Sequence, residues 1–216
     1  MEEYIFYVTI SCLTIASPGP GVLLTLTNSL TYGLKNALPG ILGVALGMGG
    51  ISIIAASSVG AIISSSAWMM SAVKLMGAAY LIYLGLKLLR SKPKFQSNLN
   101  EITHSEYTPS VTARFRQGFL ISMLNPKPIV FFMALFPQFI KADQPFAPQF
   151  TLLASTFCIL VLLIHFTYAY IATSARQKVS LGRGFLIVNR IGGVVFICFS
   201  AALIFSINFS LMLKSV

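Results

Sequence analysis

Two short motifs of the same form carry the residues with the clearest chemical potential in this sequence. The first reads SPGPGV from Ser17 and the second NPKPIV from Asn125, and each lies within a long apolar run. Proline has no backbone N–H and its ring clashes with the carbonyl four residues earlier, so each motif should interrupt a helix and free carbonyl groups. The helix that restarts presents unpaired N–H groups and the positive end of its dipole. Each break can therefore accept a cation on one side and an anion on the other.

The pair of breaks predicts a binding site for a small zwitterion. The carbonyls of Thr14 and Ala16, freed by the first motif, suit a ligand ammonium. The new helix starts, with Lys127 and the Asn125 amide, suit a carboxylate, and the motif glycines let a ligand approach the backbone. The competing interpretation is that the prolines only kink membrane helices, as single prolines commonly do. The predicted substrate-binding residues are Pro18, Gly19, Pro20, Gly21, Asn28, Asn125, Pro126, Lys127 and Pro128.

Three polar side chains inside apolar runs have alternative roles. A lysine at the centre of a membrane span costs about 2.5–3.5 kcal/mol, which favours a functional role for Lys127 over a side chain that snorkels to the interface. His165 is a candidate proton relay, and a neutral imidazole bonded to a neighbouring helix explains it equally well. Asn28 either reaches the site or forms a hydrogen bond across helices.

The composition indicates a membrane protein. Of the 216 residues, 56% are hydrophobic and only 9% are charged, against about 25% charged in soluble domains. The net charge of +10 does not indicate a nucleic-acid partner, because the basic residues lie between the apolar runs and are not clustered with aromatics. This distribution is typical of positively charged cytoplasmic loops, and it predicts that both termini lie outside.

Six apolar runs are each long enough, at roughly 20 residues, to cross a bilayer as a helix, and their periods are not those of barrel strands. Because the proline motifs lie 108 residues apart, we expect an all-α integral membrane protein with six transmembrane helices in a 3+3 inverted repeat, with helices 1 and 4 broken at the Pro-x-Pro motifs. The predicted spans are 4–30, 39–63, 68–89, 115–140, 148–173 and 191–213. The two repeats are then 1–90 and 113–216, joined by a polar cytoplasmic linker at 91–112.

Two weaker patterns accompany the repeat. Lys74 and Gly77 align loosely with Arg190 and Gly193 in the second half. Glycines along one face of the second run include a small-xxx-small spacing, which predicts close helix packing rather than ligand binding. These glycines are Gly40, Gly43, Gly47 and Gly50.

The sequence contains no signature of an enzyme. It has no G-x-x-x-x-G-K-[ST] phosphate loop and no recognisable Ser/His/Asp set, so neither ATP-driven nor hydrolytic chemistry is expected. Cys12, Cys158 and Cys198 are widely spaced, so we expect no metal and no cofactor. The first run is unlike a cleaved signal peptide, because Glu2 and Glu3 replace its basic region. A membrane thiol or redox carrier and a non-transporting membrane scaffold are the alternative classes.

The chain resembles the LysE/RhtB family of amino-acid exporters along nearly its whole length. The similarity is carried by SPGPGVLLTLTNSLTYGLKNALPGILGVALG and GFLISMLNPKPIVFFMALFPQF, and it extends to KLMGAAYLIYLGLKLLR and NRIGGVVFICFSAALI. The resemblance implies a multi-pass protein of the bacterial inner membrane that exports amino acids or close derivatives by antiport with protons. It also implies motif roles for Pro18, Gly19, Pro20, Asn125, Pro126 and Lys127.

One residue departs from the pattern of that family. Many members carry an acid in a second-helix segment that here reads LGVALGMGG, with Met48 in its place. The acidic residues of this chain all lie outside the predicted spans: Glu2, Glu3, Glu101, Glu106 and Asp143. With no buried carboxylate to pair a cationic side chain, we expect neutral amino acids to be preferred. Proton coupling then needs another group, such as His165, or is absent, and the oligomeric state stays open, a homo-oligomer included.

Overall fold

The computed structural model describes residues 2–17, 19–63, 67–90, 109–141, 143–174 and 181–212, and within these ranges every regular element is helical. The α-helices are α1 Glu2–Ala16, α2 Pro20–Tyr32, α3 Leu34–Ile63, α4 Ala67–Leu89, α5 Val111–Met123, α6 Pro126–Leu135, α7 Phe146–Ser174 and α8 Leu181–Met212. A 3-10 turn, Phe136–Gln138, continues α6. The predicted all-α class is confirmed for this part of the chain. Most of the predicted linker, 91–108, lies outside the described residues, and α5 begins within its last two positions.

Proline, glycine and a capping side chain set several helix ends. Pro20 lies in the first turn of α2, where its missing N–H costs no hydrogen bond. The same helix ends before Gly33, whose φ of +82° favours glycine and whose N–H donates to the Ser29 carbonyl oxygen at 3.0 Å. α5 is capped by Ser110, whose hydroxyl oxygen accepts a hydrogen bond from the Ala113 N–H at 3.2 Å.

Two helix pairs are sharply bent. α1 and α2 meet at 58° across the first proline motif, and α5 meets the helical segment 127–138 at 49° across the second. By length and hydropathy, two single helices can cross a membrane, one in α3 and one in α7, and there are up to four spans if each bent pair is one span. This count covers only the ranges given above, so the six spans and the inverted repeat stay a prediction.

α3 and α5 approach each other so closely that their backbones are in contact. A Cβ atom added to Gly43 would lie 2.1 Å from the Phe115 carbonyl oxygen, and one added to Gly118 would lie 2.1 Å from that of Gly40. A Cβ on Gly47 would also meet α5, at 2.7 Å. The prediction that these α3 glycines serve close helix packing is therefore confirmed at Gly43 and Gly47.

α4 and α8 cross at a reciprocal pair of glycines. A Cβ on Gly85 would lie 2.9 Å from the Gly193 oxygen, and a Cβ on Gly193 would lie 2.9 Å from the Gly85 oxygen. Each added Cβ would also contact a side chain of the opposite helix, that of Ile197 for Gly85 and that of Leu89 for Gly193. Both pairs are 108 residues apart, as the proline motifs are. The contacts thus relate Gly193 to Gly85, whereas the loose sequence alignment placed it with Gly77.

An aromatic cluster fills the space between α1, α6 and α7. Phe132, Phe136 and Phe157 are fully buried, with ring centroids 4.6 Å apart for Phe132 and Phe136 and 4.9 Å apart for Phe132 and Phe157. Tyr7 packs edge to face on Phe136 and donates its hydroxyl to the Leu153 carbonyl oxygen at 2.7 Å. Burial of these rings fixes α6 against α1 and α7, and it thereby positions the break that precedes α6.

Candidate functional site

A narrow cavity lies where the two helix breaks meet. Its described lining consists of Thr14, Ile15, Ser17, Gly19, Gly21, Val22, Met48, Asn125, Lys127, Pro128, Phe157 and His165. The structure therefore brings together the predicted site residues Gly19, Gly21, Asn125, Lys127 and Pro128. The cavity has room for about two water molecules, so an amino acid can enter only if a lining side chain moves.

Lys127 bridges the cavity from the second break to the first. Its ammonium donates hydrogen bonds to the carbonyl oxygens of Thr14, at 2.5 Å, and Ser17, at 3.1 Å, and to the Ser17 hydroxyl oxygen. These acceptors lie at the C-terminal end of α1, where the helix dipole favours a cation. The Thr14 carbonyl was expected to be open for a ligand ammonium, and it is occupied by Lys127 because a buried ammonium needs acceptors.

Tyr168 on α7 holds the second carbonyl that the first motif frees. Its hydroxyl donates a hydrogen bond to the Ala16 carbonyl oxygen at 2.7 Å. No sequence pattern predicted a role for Tyr168. Its position three residues after His165 is the signal that was available, because this spacing puts both side chains on one face of α7. Both freed carbonyls of the first break thus have donors within the protein.

The two helices that begin after the breaks, α2 and α6, differ in their N-terminal caps. At the second break, Asn125 Oδ1 accepts a hydrogen bond from the Lys127 N–H at 3.1 Å, so this oxygen is committed to the start of α6. The start of α2 has no side-chain cap, and Gly19 at that position is extended and lines the cavity. The first N–H groups of α2 are therefore the backbone donors that suit an anion in this cavity.

His165 forms part of the cavity wall on α7. Its side chain is buried, and Nδ1 lies 2.7 Å from the Thr25 hydroxyl oxygen on α2. Gly21 leaves space for the ring, since a Cβ there would lie 3.4 Å from Cε1. Lys127 and His165 are the ionisable groups of the described lining, which contains no carboxylate. Met48, at the position of the missing acid, is a lining residue instead.

The remaining predicted site residues lie elsewhere. Asn28 is buried on α2 and does not belong to the described lining, and its Nδ2 would lie 3.1 Å from a Cβ added to Gly40. Pro20 is the exposed first residue of α2, and Pro126 is the first residue of α6. Pro18 lies outside the described residues. Substrate contact by these four residues stays a prediction.

The described part of the chain is all-helical, with apolar helices long enough to cross a membrane and a recess lined by Lys127 between two bent helix pairs. The family model of the LysE type translocators matches residues 12–206, and the chain belongs to this family.

Relatives that match most of the chain are consistent with membership of this family. The chain is 29% identical to the homoserine/homoserine lactone efflux protein of Salmonella typhimurium over 202 residues, which cover 94% of this chain and 96% of that protein. It is 30% identical to an uncharacterized membrane protein of Bacillus subtilis over 204 residues, which cover 92% of this chain and 97% of that protein. A membrane protein of Vibrio cholerae is 28% identical over 196 residues, which cover 91% of this chain and 93% of that protein. No solved structure matches the chain.

Proposed function

We propose that this protein is a secondary transporter that exports amino acids or close derivatives across the bacterial inner membrane, with both termini outside. The cavity between the two breaks carries the proposal, because Lys127 from one break contacts the backbone of the other within it. An ionisable side chain beside interrupted helices is typical of transporter substrate sites. The Salmonella typhimurium relative is named for efflux of homoserine and its lactone, and the first of these supports a free amino acid as the substrate here.

The helix contacts support a 3+3 inverted repeat in which α1 to α4 correspond to α5 to α8. A two-fold relation maps the contact of α3 with α7 and the contact of α4 with α8 onto themselves, and both contacts are present. The same relation maps the contact of α2 with α7 onto a contact of α3 with α6, and this contact is also present. The reciprocal glycines of α4 and α8 keep the same 108-residue register. Such an axis would bring both breaks to the middle of the membrane.

In this proposal the substrate lies between the two breaks. Its carboxylate faces Lys127 and the uncapped start of α2, and its ammonium takes acceptors at the end of α1. Neutral amino acids are favoured because the described lining offers no carboxylate to a cationic side chain.

Counterflow in proteoliposomes tests the proposed function. The vesicles hold a high concentration of one unlabelled amino acid and take up a trace of labelled compound from outside. We expect accumulation of neutral amino acids, homoserine included, and much less of lysine or arginine. Pro126→Ala restores a backbone N–H at the second break and should slow uptake about tenfold because the break closes, and Pro18→Ala should act alike at the first break.

The controls for counterflow are protein-free vesicles and Pro145→Ala, which makes the same substitution in an exposed loop. Protein-free vesicles should accumulate no labelled compound, and Pro145→Ala should take it up at the wild-type rate. If no amino acid on the panel accumulates, the protein is not such a transporter.

We further propose that His165 couples export to a proton gradient. Of the two ionisable groups in the described lining, Lys127 donates to the carbonyl oxygens at the end of α1, which leaves the imidazole of His165 as the candidate proton carrier. Acid outside the vesicles should accelerate efflux through the wild type, and His165→Gln should lose this acceleration while it keeps counterflow. Gln is chosen because its amide can retain a hydrogen bond to the Thr25 hydroxyl.

A protonophore that collapses the gradient is the control for the coupling experiment. Equal acceleration in wild type and His165→Gln would assign the coupling to another group. No acceleration in the wild type would exclude antiport with protons.

The alternative classes gain no support from the cavity. Cys12, Cys158 and Cys198 are free thiols, and none belongs to the described lining, so a thiol or redox carrier has no site there. A non-transporting scaffold would show no counterflow in either the wild type or the proline variants.

A further inference from the structure

The ammonium of Lys127 fills a complete set of acceptors. We call this set the ammonium cradle: the carbonyl oxygens of Thr14 and Ser17 and the hydroxyl oxygen of Ser17. The Ser17 hydroxyl donates its own hydrogen to the Thr14 carbonyl at 2.8 Å, which leaves its lone pairs for Lys127. A primary ammonium has three N–H donors, so the cradle matches that group in number and in charge preference.

We propose that the ammonium cradle is the binding site for the primary ammonium group of the substrate, and that Lys127 is its internal occupant when no substrate is bound. This inference rests on the proposed function and specifies which group the site recognises. Because the cavity has room for only about two water molecules, Lys127 and a substrate ammonium occupy the cradle in turn and not together.

Exchange of the two ammonium groups has a physical advantage. Buried carbonyl oxygens without donors are costly in a membrane interior, and an alternating occupant keeps the cradle satisfied with and without substrate. The displaced Lys127 needs a new acceptor, and the carboxylate of an amino acid supplies one. A primary amine without a carboxylate must displace Lys127 without giving it a partner, so it should bind the wild type weakly.

The substrate class follows from this exchange. The cradle requires a primary ammonium group, and the carboxylate receives the displaced Lys127. Removal of the lysine should therefore open the cradle to carboxylate-free primary amines.

Binding of L-alaninamide to the purified full-length protein in detergent tests the inference by titration calorimetry. The compound has a primary ammonium group but no carboxylate. Lys127→Met removes the internal occupant while it keeps a side chain of similar length, and it should bind L-alaninamide at least about tenfold more tightly than the wild type, since hydrogen bonds to a charged group no longer have to be broken. Lys35→Met, a change in an exposed lysine of α3, should bind as the wild type does.

A second substitution separates cradle occupancy from simple relief of charge repulsion. In the Lys127→Met background, Ser17→Ala removes one acceptor and should weaken L-alaninamide binding about tenfold. Charge repulsion alone predicts no effect of Ser17→Ala there, and that result would overturn the proposal. If Lys127→Met is not monodisperse, Lys127→Gln replaces it and should tighten binding by a smaller factor, because its amide still donates to the cradle.

The outcomes separate this inference from the proposed function. Unchanged or weaker L-alaninamide binding in the Lys127 variants, with counterflow of amino acids intact in the wild type, would remove the inference alone. Tighter binding in a protein that shows no counterflow would remove the proposed function and leave the cradle as an ammonium site.

Discussion

Gly43→Ala should push α3 and α5 apart and should lower both the yield and the melting temperature of the folded protein. The added Cβ would lie 2.1 Å from the Phe115 carbonyl oxygen and 2.9 Å from the Phe119 nitrogen. Both are backbone atoms, so the helices must separate rather than a side chain rotate. Overpacking of this kind costs about 3 kcal/mol, a large share of a total stability of about 5–15 kcal/mol. The yield of monodisperse protein and its melting temperature in detergent measure the effect.

Gly49→Ala is the matched control on the same helix. A Cβ there meets only the Cys158 Sγ at 3.6 Å, an ordinary contact, and alanine favours a helix over glycine by about 1 kcal/mol. This variant should melt at or above the wild-type temperature. Gly118→Ala adds a Cβ to the same helix contact from the α5 side, 2.1 Å from the Gly40 oxygen. It should lower the yield and the melting temperature as Gly43→Ala does. A wild-type melting temperature for Gly43→Ala would contradict the close approach of the two helices.

The helices and the site's main polar residues could be predicted from sequence because their causes are local. Apolar runs of sufficient length indicate helices, and prolines act on the carbonyls a few residues before them. The first helix ends at Ala16, directly before the first motif, and the next begins at Pro20 within it. The small-xxx-small spacing likewise indicated that Gly43 and Gly47 face another helix, without showing that α5 is that helix.

The partners of the freed carbonyls could not be predicted, because they depend on the lateral placement of distant helices. Lys127 reaches Thr14 from α6, and Tyr168 reaches Ala16 from α7. A sequence shows that these carbonyls lose their intrahelical donors, but it does not show which side chain replaces the donors. The expected open acceptor at Thr14 was therefore wrong for this conformation.

Arg114 shows a similar limit of sequence reasoning. The pattern of basic residues counts it with the cytoplasmic charges, but the structure buries it on α5. Among the described residues, its Nε and Nη1 atoms have no hydrogen-bond partner. Gly118 lies four residues later on the same helical face, and its close contact with α3 shows that this face is buried.

Lys127→Met should reduce net efflux of a neutral amino acid about tenfold or more. The substitution removes the cation that faces the substrate carboxylate, and a hydrogen bond to a charged group contributes about 1.5–3 kcal/mol. In this variant the ammonium cradle also has no occupant while the transporter changes conformation without a bound substrate. Efflux of labelled amino acid from preloaded proteoliposomes measures the change, with Lys35→Met as the control for loss of an exposed positive charge.

Two readouts of this one variant should move in opposite directions, which separates a specific role from poor folding. Misfolded Lys127→Met would lose both amino-acid efflux and L-alaninamide binding. Our assignment requires that efflux falls while L-alaninamide binds more tightly, because the carboxylate partner is lost and the cradle is freed. The substitution also leaves the cradle acceptors without their donor, which costs stability, so the variant must be shown to be monodisperse before either readout is compared. Wild-type efflux in Lys127→Met would show that this lysine neither anchors the substrate nor satisfies the empty carrier.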